Sequence, residues 1–115
     1  ICLHHHPVAM GAAWLDQIGV DNGNELLQLI DNRPSVRALL WGHVHQEFDQ
    51  ERAGYHMMAT PSTCVQFKAN SDEFGIDALP PGFRWIELGA KGEVTSKVVR
   101  TNKVARGLEL SSAGY

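Results

Sequence analysis

The stretch Leu39-Leu40-Trp41-Gly42-His43-Val44-His45-Gln46 decides the fold, because it joins an apolar run to a glycine and two histidines. The apolar residues between Val36 and Trp41 predict a buried strand. Gly42, His43 and His45 then fall at the C-terminal tip of that strand, where open α/β sheets bind their ligands. On extended backbone, imidazoles at positions i and i+2 leave the same face about 6 to 7 Å apart at Cα. The pair can therefore serve one metal ion or two neighbouring ones.

A second histidine cluster follows a second strand-like segment. Residues 1–3 are apolar, and His4 is the first of three consecutive histidines after them. Residues 24–31 predict a helix, with an apolar face behind a suitable asparagine N-cap. A strand, a helix and a strand within the first 41 residues predict a parallel pair with a right-handed connection. Both strands then end at the same edge, which brings His4 toward His43 and His45 and predicts one shared site.

The remaining residues predict an α/β fold whose later part consists of antiparallel hairpins. Two hairpins are indicated by apolar runs around short turns, one at Ala53-Gly54 and one at residues 89–92. The predicted segments are hairpin strands at 46–52, 55–59, 83–88 and 94–99, a short extended run at 61–67, loops at 7–15 and 68–82, and a loosely ordered tail at 101–115. We therefore expect a single domain with a mixed sheet over residues 1–115.

The composition argues against several classes of function. The chain has 115 residues, of which 43% are hydrophobic, and a net charge of -3. The absence of a Lys/Arg cluster argues against a nucleic-acid or membrane partner. No apolar run approaches the roughly 18 residues of a membrane span, and no basic-then-apolar leader is present, so we predict a cytoplasmic protein. Cys2 and Cys64 lie in apolar surroundings, which predicts buried, reduced thiols.

Four segments carry a resemblance to a known family. They are Leu3-His4-His5-His6-Pro7, Trp14-Leu15-Asp16, residues 40–47 and residues 59–68. Together they closely resemble the bacterial class III cyclic-AMP phosphodiesterases of the calcineurin-like metallophosphoesterase family. The Gly-His-x-His motif is common to that superfamily, whereas Thr-Pro-Ser-Thr-Cys-Val-Gln-Phe is much more particular. The likeness covers nearly the whole chain and reaches its Ala-Gly-Tyr end.

The resemblance implies an enzyme that opens 3',5'-cyclic AMP to 5'-AMP with two metal ions. The family fold is a four-layered α/β/β/α sandwich with the metals at the strand tips, and the metals are divalent or mixed-valence Fe, Mn or Zn. By resemblance, His4 and His43 would bind one metal and His45 the other. The family's other ligand motifs and its catalytic residues would precede residue 1. Because the chain also opens inside a core strand, we expect it to be the C-terminal portion of a longer protein, inactive when isolated.

Some roles stay open between a functional and a structural interpretation. His43, His5, Thr63 and Cys64 are candidate substrate contacts. His5 and its neighbour His6 are either orienting groups or substrate contacts, or else loop residues. Thr63, Cys64 and Gln66 either line a nucleotide pocket or pack a sheet edge. Two other functions also stay open: a general metallophosphoesterase acting on other small phosphodiesters, and a catalytically silent module that self-associates as a homodimer.

Overall fold

The structure is a computed structural model, and it describes residues 1–104 and 107–111. Its elements in chain order are β1 (Cys2–Leu3), α1 (Ala13–Asp16), α2 (Gly23–Asp31), β2 (Ala38–Trp41), β3 (Phe48–Arg52), β4 (Tyr55–Ala59), β5 (Gln66–Phe67), β6 (Ile76–Asp77), β7 (Gly82–Leu88) and β8 (Val94–Arg100). No helix in the described part of the chain is long and apolar enough to cross a membrane. The predicted tail at 101–115 lies partly outside the described residues, so it stays a prediction.

A four-stranded mixed sheet in the order β1-β2-β4-β3 forms the centre of the fold. Strand β1 pairs parallel with β2, in the register Cys2↔Leu40 and Leu3↔Trp41, which confirms the predicted parallel pair. The two predicted hairpins are also confirmed, as β3 with β4 and β7 with β8. The parallel pairing of β4 with β2 was not predicted. It places β4 inside the sheet, and the apolar run Met57-Met58-Ala59 suits such a strand because both of its faces are covered.

Three local predictions were wrong. Helix α1 lies in the predicted loop at 7–15, because one turn buries Leu15 completely but is too short to show helical periodicity. Strand β6 lies in the predicted loop at 68–82, where two residues pair with β5. Both cysteines are free but exposed, not buried. Cys2 is exposed on a strand at the edge of the sheet, and Cys64 lies in the loop before β5.

The core lies between one face of the sheet and the two helices. Side chains alternate between the two faces of a strand, so Leu39 and Trp41 of β2 lie on one face. Their partners in β4, Met57 and Ala59, lie on the same face. The buried cluster on that face consists of Ala12, Leu15, Leu27, Ile30, Leu39, Trp41, Val44, Tyr55, Met57 and Ala59. Trp41 and Val44 of this cluster flank His43, and Leu3, next to His4, packs against it, so packing fixes the strand ends that carry the histidines.

The turn between β3 and β4 is a two-residue turn with left-handed backbone at both central positions. The φ angles are 46° at Ala53 and 84° at Gly54, as the right-handed twist of a hairpin requires. Glycine adopts this conformation freely, whereas alanine is strained in it by about 1–2 kcal/mol.

We expect Ala53→Asn to stabilise the protein by about 0.5–1 kcal/mol, since asparagine tolerates the left-handed region better than alanine. Urea unfolding followed by circular dichroism measures the change. The control is Ala90→Asn, because Ala90 is exposed in the other hairpin turn and is not among the described residues with positive φ. Equal effects at both positions would contradict the explanation by backbone strain.

A bidentate ion pair joins the end of α2 to the β3–β4 hairpin. Arg52 donates from Nε to Oδ1 of Asp31 at 2.8 Å and from Nη2 to Oδ2 at 2.7 Å. The hydroxyl of Tyr55 donates to the same Oδ1 at 3.1 Å. The hydrogen bond from Arg52, assisted by that of Tyr55, lowers the pKa of Asp31 below its ordinary value of 3.8.

This lowered pKa predicts how stability depends on pH. A carboxyl whose pKa is lower in the folded state stabilises the fold fully above its unfolded pKa and loses that contribution as the pH falls through its folded pKa. We therefore expect Asp31→Asn to lower the melting temperature at neutral pH, and the difference from wild type to shrink below pH 3.8. Thermal unfolding at a series of pH values measures this, with exposed Asp72→Asn as control. A difference that persists undiminished in acid would contradict the assignment.

A buried guanidinium fastens the β7–β8 hairpin to the central sheet. The side chain of Arg84 is only 3% exposed. It donates from Nε to the carbonyl of Ala59 at 3.0 Å and from Nη2 to the carbonyl of Phe48 at 2.9 Å. Its Nη1 donates to Oδ2 of Asp49 and to Oγ of Ser96, both at 2.8 Å. This single side chain therefore links β7 to β3, β4 and β8.

Candidate metal centre

The parallel pairing of β1 with β2 brings the two histidine segments together. His4 and His5 follow β1, and His43 follows β2 after one glycine. The ring centroids are 5.1 Å apart for His4 and His43 and 4.4 Å apart for His5 and His43. One nitrogen from each of the three rings lies within 4.8 Å of the other two. His4 and His43 thus meet as predicted, and the structure adds His5 to them.

The backbone at the second segment is left-handed, not extended. The φ angle is 61° at His43 and 49° at His45, so the expectation of extended backbone from 43 to 45 was wrong. Val44, between them, is completely buried in the core cluster. Its burial anchors the segment and leaves the flanking imidazoles outside the core. Left-handed residues other than glycine are strained, and such strain is concentrated at functional sites.

His43 is held in its neutral form. Burial lowers its pKa to about 4, and the charges of His5, His4, His6 and His45 act in the same direction. Within residues 1–104 and 107–111, its Nε2 is buried and has no hydrogen-bond partner. A neutral imidazole with an unshared nitrogen lone pair is the form that binds a metal ion.

His45 lies beside this group and is not part of it. Its ring stacks on Phe67, with 4.2 Å between centroids and 14° between planes. Burial lowers its pKa, against the effect of a backbone hydrogen bond with Val65, and the charge of His4 lowers it further. Its Nδ1 is buried and unpartnered in the described part of the chain. The stacking on Phe67 holds the ring in place, and no sequence pattern predicted this contact.

These residues fit a divalent transition metal ion. Three nitrogen donors converge, and the buried nitrogens of His43 and His45 have no other described partner. Imidazole suits Zn, Fe and related ions. Two dications usually also require carboxylate ligands, which the group of three lacks. The group of three could therefore supply the imidazole donors of a metal centre and does not supply its negative charge.

The loop before β5 lies next to His45. Gln66 is 1% exposed, and its amide braces the loop: it accepts from the Ser62 N–H at 3.1 Å and donates to the Ser62 carbonyl at 2.8 Å. Thr63 and Cys64 are exposed within the braced loop. Gln66 thus has a structural role, whereas the assignment of Thr63 and Cys64 to substrate stays a prediction.

Two further residues near the centre are His6 and Asp16. His6, for which the sequence left an orienting role open, is 2% exposed, and burial lowers its pKa against the opposing charge of Asp16. Asp16 accepts hydrogen bonds from the backbone N–H groups of Met10 and Gly11 in the loop after the histidines. The motif that contains Asp16 was noted in the sequence, but its contacts with the loop were not predicted, because an irregular loop follows no sequence period.

A cluster of three histidines at the strand ends of a mixed sheet defines an α/β protein with a candidate metal centre. No family model matches the chain. The 3',5'-cyclic adenosine monophosphate phosphodiesterases of Pseudomonas aeruginosa and of Escherichia coli K12 are each 43% identical to it over 115 residues, which is 100% of this chain and 42% of the relative. A 3',5'-cyclic-nucleotide phosphodiesterase of Nostoc is 43% identical over 100 residues, covering 87% of this chain and 38% of the relative.

The chain is thus similar over its full length to the C-terminal part of bacterial 3',5'-cyclic-AMP phosphodiesterases. This confirms the resemblance that its motifs carry. The chain spans 42% of the length of the first two relatives.

Proposed function

We propose that this chain carries the histidine part of a metal-dependent centre that hydrolyses 3',5'-cyclic AMP to 5'-AMP. The observation that carries the proposal is the convergence of His4, His5 and His43 at the strand ends, in a chain 43% identical to cyclic-AMP phosphodiesterases. The four-layered sandwich, the single-domain assignment over 1–115 and the cytoplasmic location belong to the same proposal.

Four of the six histidines have a defined task in this proposal. His4 and His43 bind one metal ion and His45 binds a second, while His5 binds either the first ion or the substrate phosphate. When bound, divalent ions of the Fe, Mn or Zn type neutralise the phosphoryl oxygens and lower the pKa of water so that it can attack at neutral pH. Thr63 and Cys64 contact the nucleotide from the rim.

The low pKa values of His43 and His45 support these roles. A protonated imidazole would lose its lone pair and repel a cation. At neutral pH, burial keeps His43 neutral without the help of a metal. The strained, left-handed backbone at both residues is held by the burial of Val44, so their rings are oriented before the metal arrives.

The test is metal content and hydrolysis by the full-length gene product. We expect bound transition metal, conversion of cyclic AMP to 5'-AMP, loss of activity after chelation and recovery after metal is restored. A purified, correctly folded protein that retains activity after complete metal removal would contradict the proposal. Product identification by chromatography separates 5'-AMP from 3'-AMP and so establishes which ester bond breaks.

A general phosphodiesterase is the rival with the nearest chemistry. In this proposal the metal ions that the histidines bind would contact the phosphate and not the base, and the Nostoc relative is named for cyclic nucleotides in general. Comparing kcat/KM for cyclic AMP, cyclic GMP and bis-(p-nitrophenyl) phosphate decides between them. Equal values on all three would favour the general enzyme.

Self-association is supported by a different feature. Strand β7 exposes two large aromatic side chains on one face, Phe83 at 47% and Trp85 at 51%. Such a patch is a candidate protein interface. Light scattering over a range of concentrations, with Trp85→Ser as the comparison, tests the proposed homodimer. A monomer at high concentration would contradict it.

A further inference from the structure

One carboxylate outside the histidine group fixes the loop that follows it. Oδ1 of Asp16 accepts a hydrogen bond from the backbone N–H of Met10 at 2.6 Å, and Oδ2 accepts one from Gly11 at 3.2 Å. Hydrogen bonds to an ionised carboxylate are about twice as strong as neutral ones. Gly11 has a φ of 76°, so the loop turns sharply where the carboxylate holds it.

The same carboxylate faces His6. Oδ1 of Asp16 is 3.8 Å from Nε2 of His6, whose side chain is 2% exposed. The ring of His6 is nearly parallel to that of His43, with 12° between the planes and 6.0 Å between the centroids. A path of neighbouring groups therefore runs from Asp16 through His6 to His43.

The opposite side of the loop is held by the connection between α1 and α2. The N–H of Val20 donates to the carbonyl of His6 at 2.9 Å. A Cβ at Gly19 would lie 2.9 Å from Nε2 of His6, and a Cβ at Gly23 would overlap the carbonyl of Pro7. Only glycine permits this close approach, so His6 has little freedom to move on that side.

We infer that Asp16 is a positioning residue for the candidate metal centre. It accepts hydrogen bonds from the loop at Met10 and Gly11 and lies 3.8 Å from Nε2 of the buried His6, and through these contacts it maintains the spacing of the adjacent His4 and His5 against His43. The inference rests on the proposed function, since it assumes that these histidines bind a metal ion. Asp16 is not itself a member of the group of three, so it acts only through other residues.

The test uses Co²⁺ as a spectroscopic probe in the full-length gene product. Asp16→Asn keeps the size of the side chain but removes the charge and one acceptor, and Asp16→Ala removes both acceptors. Loss of a group that orients metal ligands typically weakens metal binding by about 10–100-fold. We expect Co²⁺ to bind at least about tenfold more weakly, with an altered visible absorption spectrum, and a larger effect for alanine than for asparagine.

The control is Asp21→Asn, because Asp21 is exposed and lines the same cavity as Asp16. We expect its Co²⁺ affinity and spectrum to match wild type. Melting temperatures of the metal-free proteins are measured in parallel, and spectra are recorded where every variant is folded. If Asp16→Ala does not fold, Asp16→Asn supplies the spectrum.

The outcomes separate the inference from the proposed function. Wild-type affinity and spectrum in the Asp16 variants, even with a lowered melting temperature, would overturn the inference and leave the proposed function standing. Failure of the wild-type protein to bind Co²⁺ would overturn both. An altered spectrum in Asp21→Asn as well would show a general effect of nearby charge and would also overturn the inference.

Discussion

His43→Gly is expected to abolish metal binding and to lower kcat/KM for cyclic AMP by at least about 1,000-fold in the full-length gene product. The His43 ring lies 5.1 Å from that of His4 and 4.4 Å from that of His5 between centroids, so its removal takes away one of the three converging nitrogen donors. A bound metal ion contributes several kcal/mol of charge stabilisation in the transition state, and each 1.36 kcal/mol corresponds to a factor of ten in rate. Metal analysis and steady-state kinetics measure the two losses.

Glycine is chosen because it separates loss of function from loss of fold. The φ of His43 is 61°, and relief of about 1–2 kcal/mol of strain offsets the roughly 0.5–1 kcal/mol of extra chain entropy that glycine brings. The metal-free variant should therefore be at least as stable as the metal-free wild type. His56→Ala is the control, because His56 pairs with Ala38 at the opposite end of β2. Retention of metal and activity by His43→Gly would contradict the proposed centre.

Arg84→Met is expected to lower the free energy of unfolding by about 2–5 kcal/mol, because it removes the donor of two backbone carbonyls at once. The change leaves the carbonyls of Phe48 and Ala59 without their guanidinium donor. Buried groups that lose a partner cost about 1–3 kcal/mol each. Asp49 is half exposed, so water compensates for part of its loss.

Urea unfolding measures this effect, and hydrogen exchange of β7 and β8 locates it. Arg84→Lys should lie between wild type and Arg84→Met, since lysine keeps the charge but lacks the planar fork of donors. The control is Arg33→Met, because Arg33 is exposed. An Arg84→Met variant as stable as the control would contradict the assigned role of the guanidinium.

The main strands and their pairing at the site could be predicted from local patterns. The apolar run before Gly42 and the apolar start at 1–3 each indicated a strand, and the helix between them required a parallel connection. That reasoning placed His4 beside His43, as observed. It could not detect α1 or β6, because elements of four and two residues are too short to show a period.

The backbone at the histidines could not be predicted from their spacing. A period of two suggested extended chain from 43 to 45, whereas His43 and His45 are left-handed on either side of the buried Val44. In this arrangement His5 joins His4 and His43, and His45 stacks on Phe67. Spacing predicts direction only when the conformation is regular, and tertiary packing made this segment irregular.

The sequence by itself therefore determined the strands, their order near the site and the types of residue that meet there, because apolar periodicity and connection rules act over short stretches of chain. Only the tertiary structure decided which imidazoles converge, how burial makes His43 neutral, and that Arg84 fastens one hairpin to a distant sheet. Those features depend on contacts between residues far apart in the chain, for which no sequence period exists.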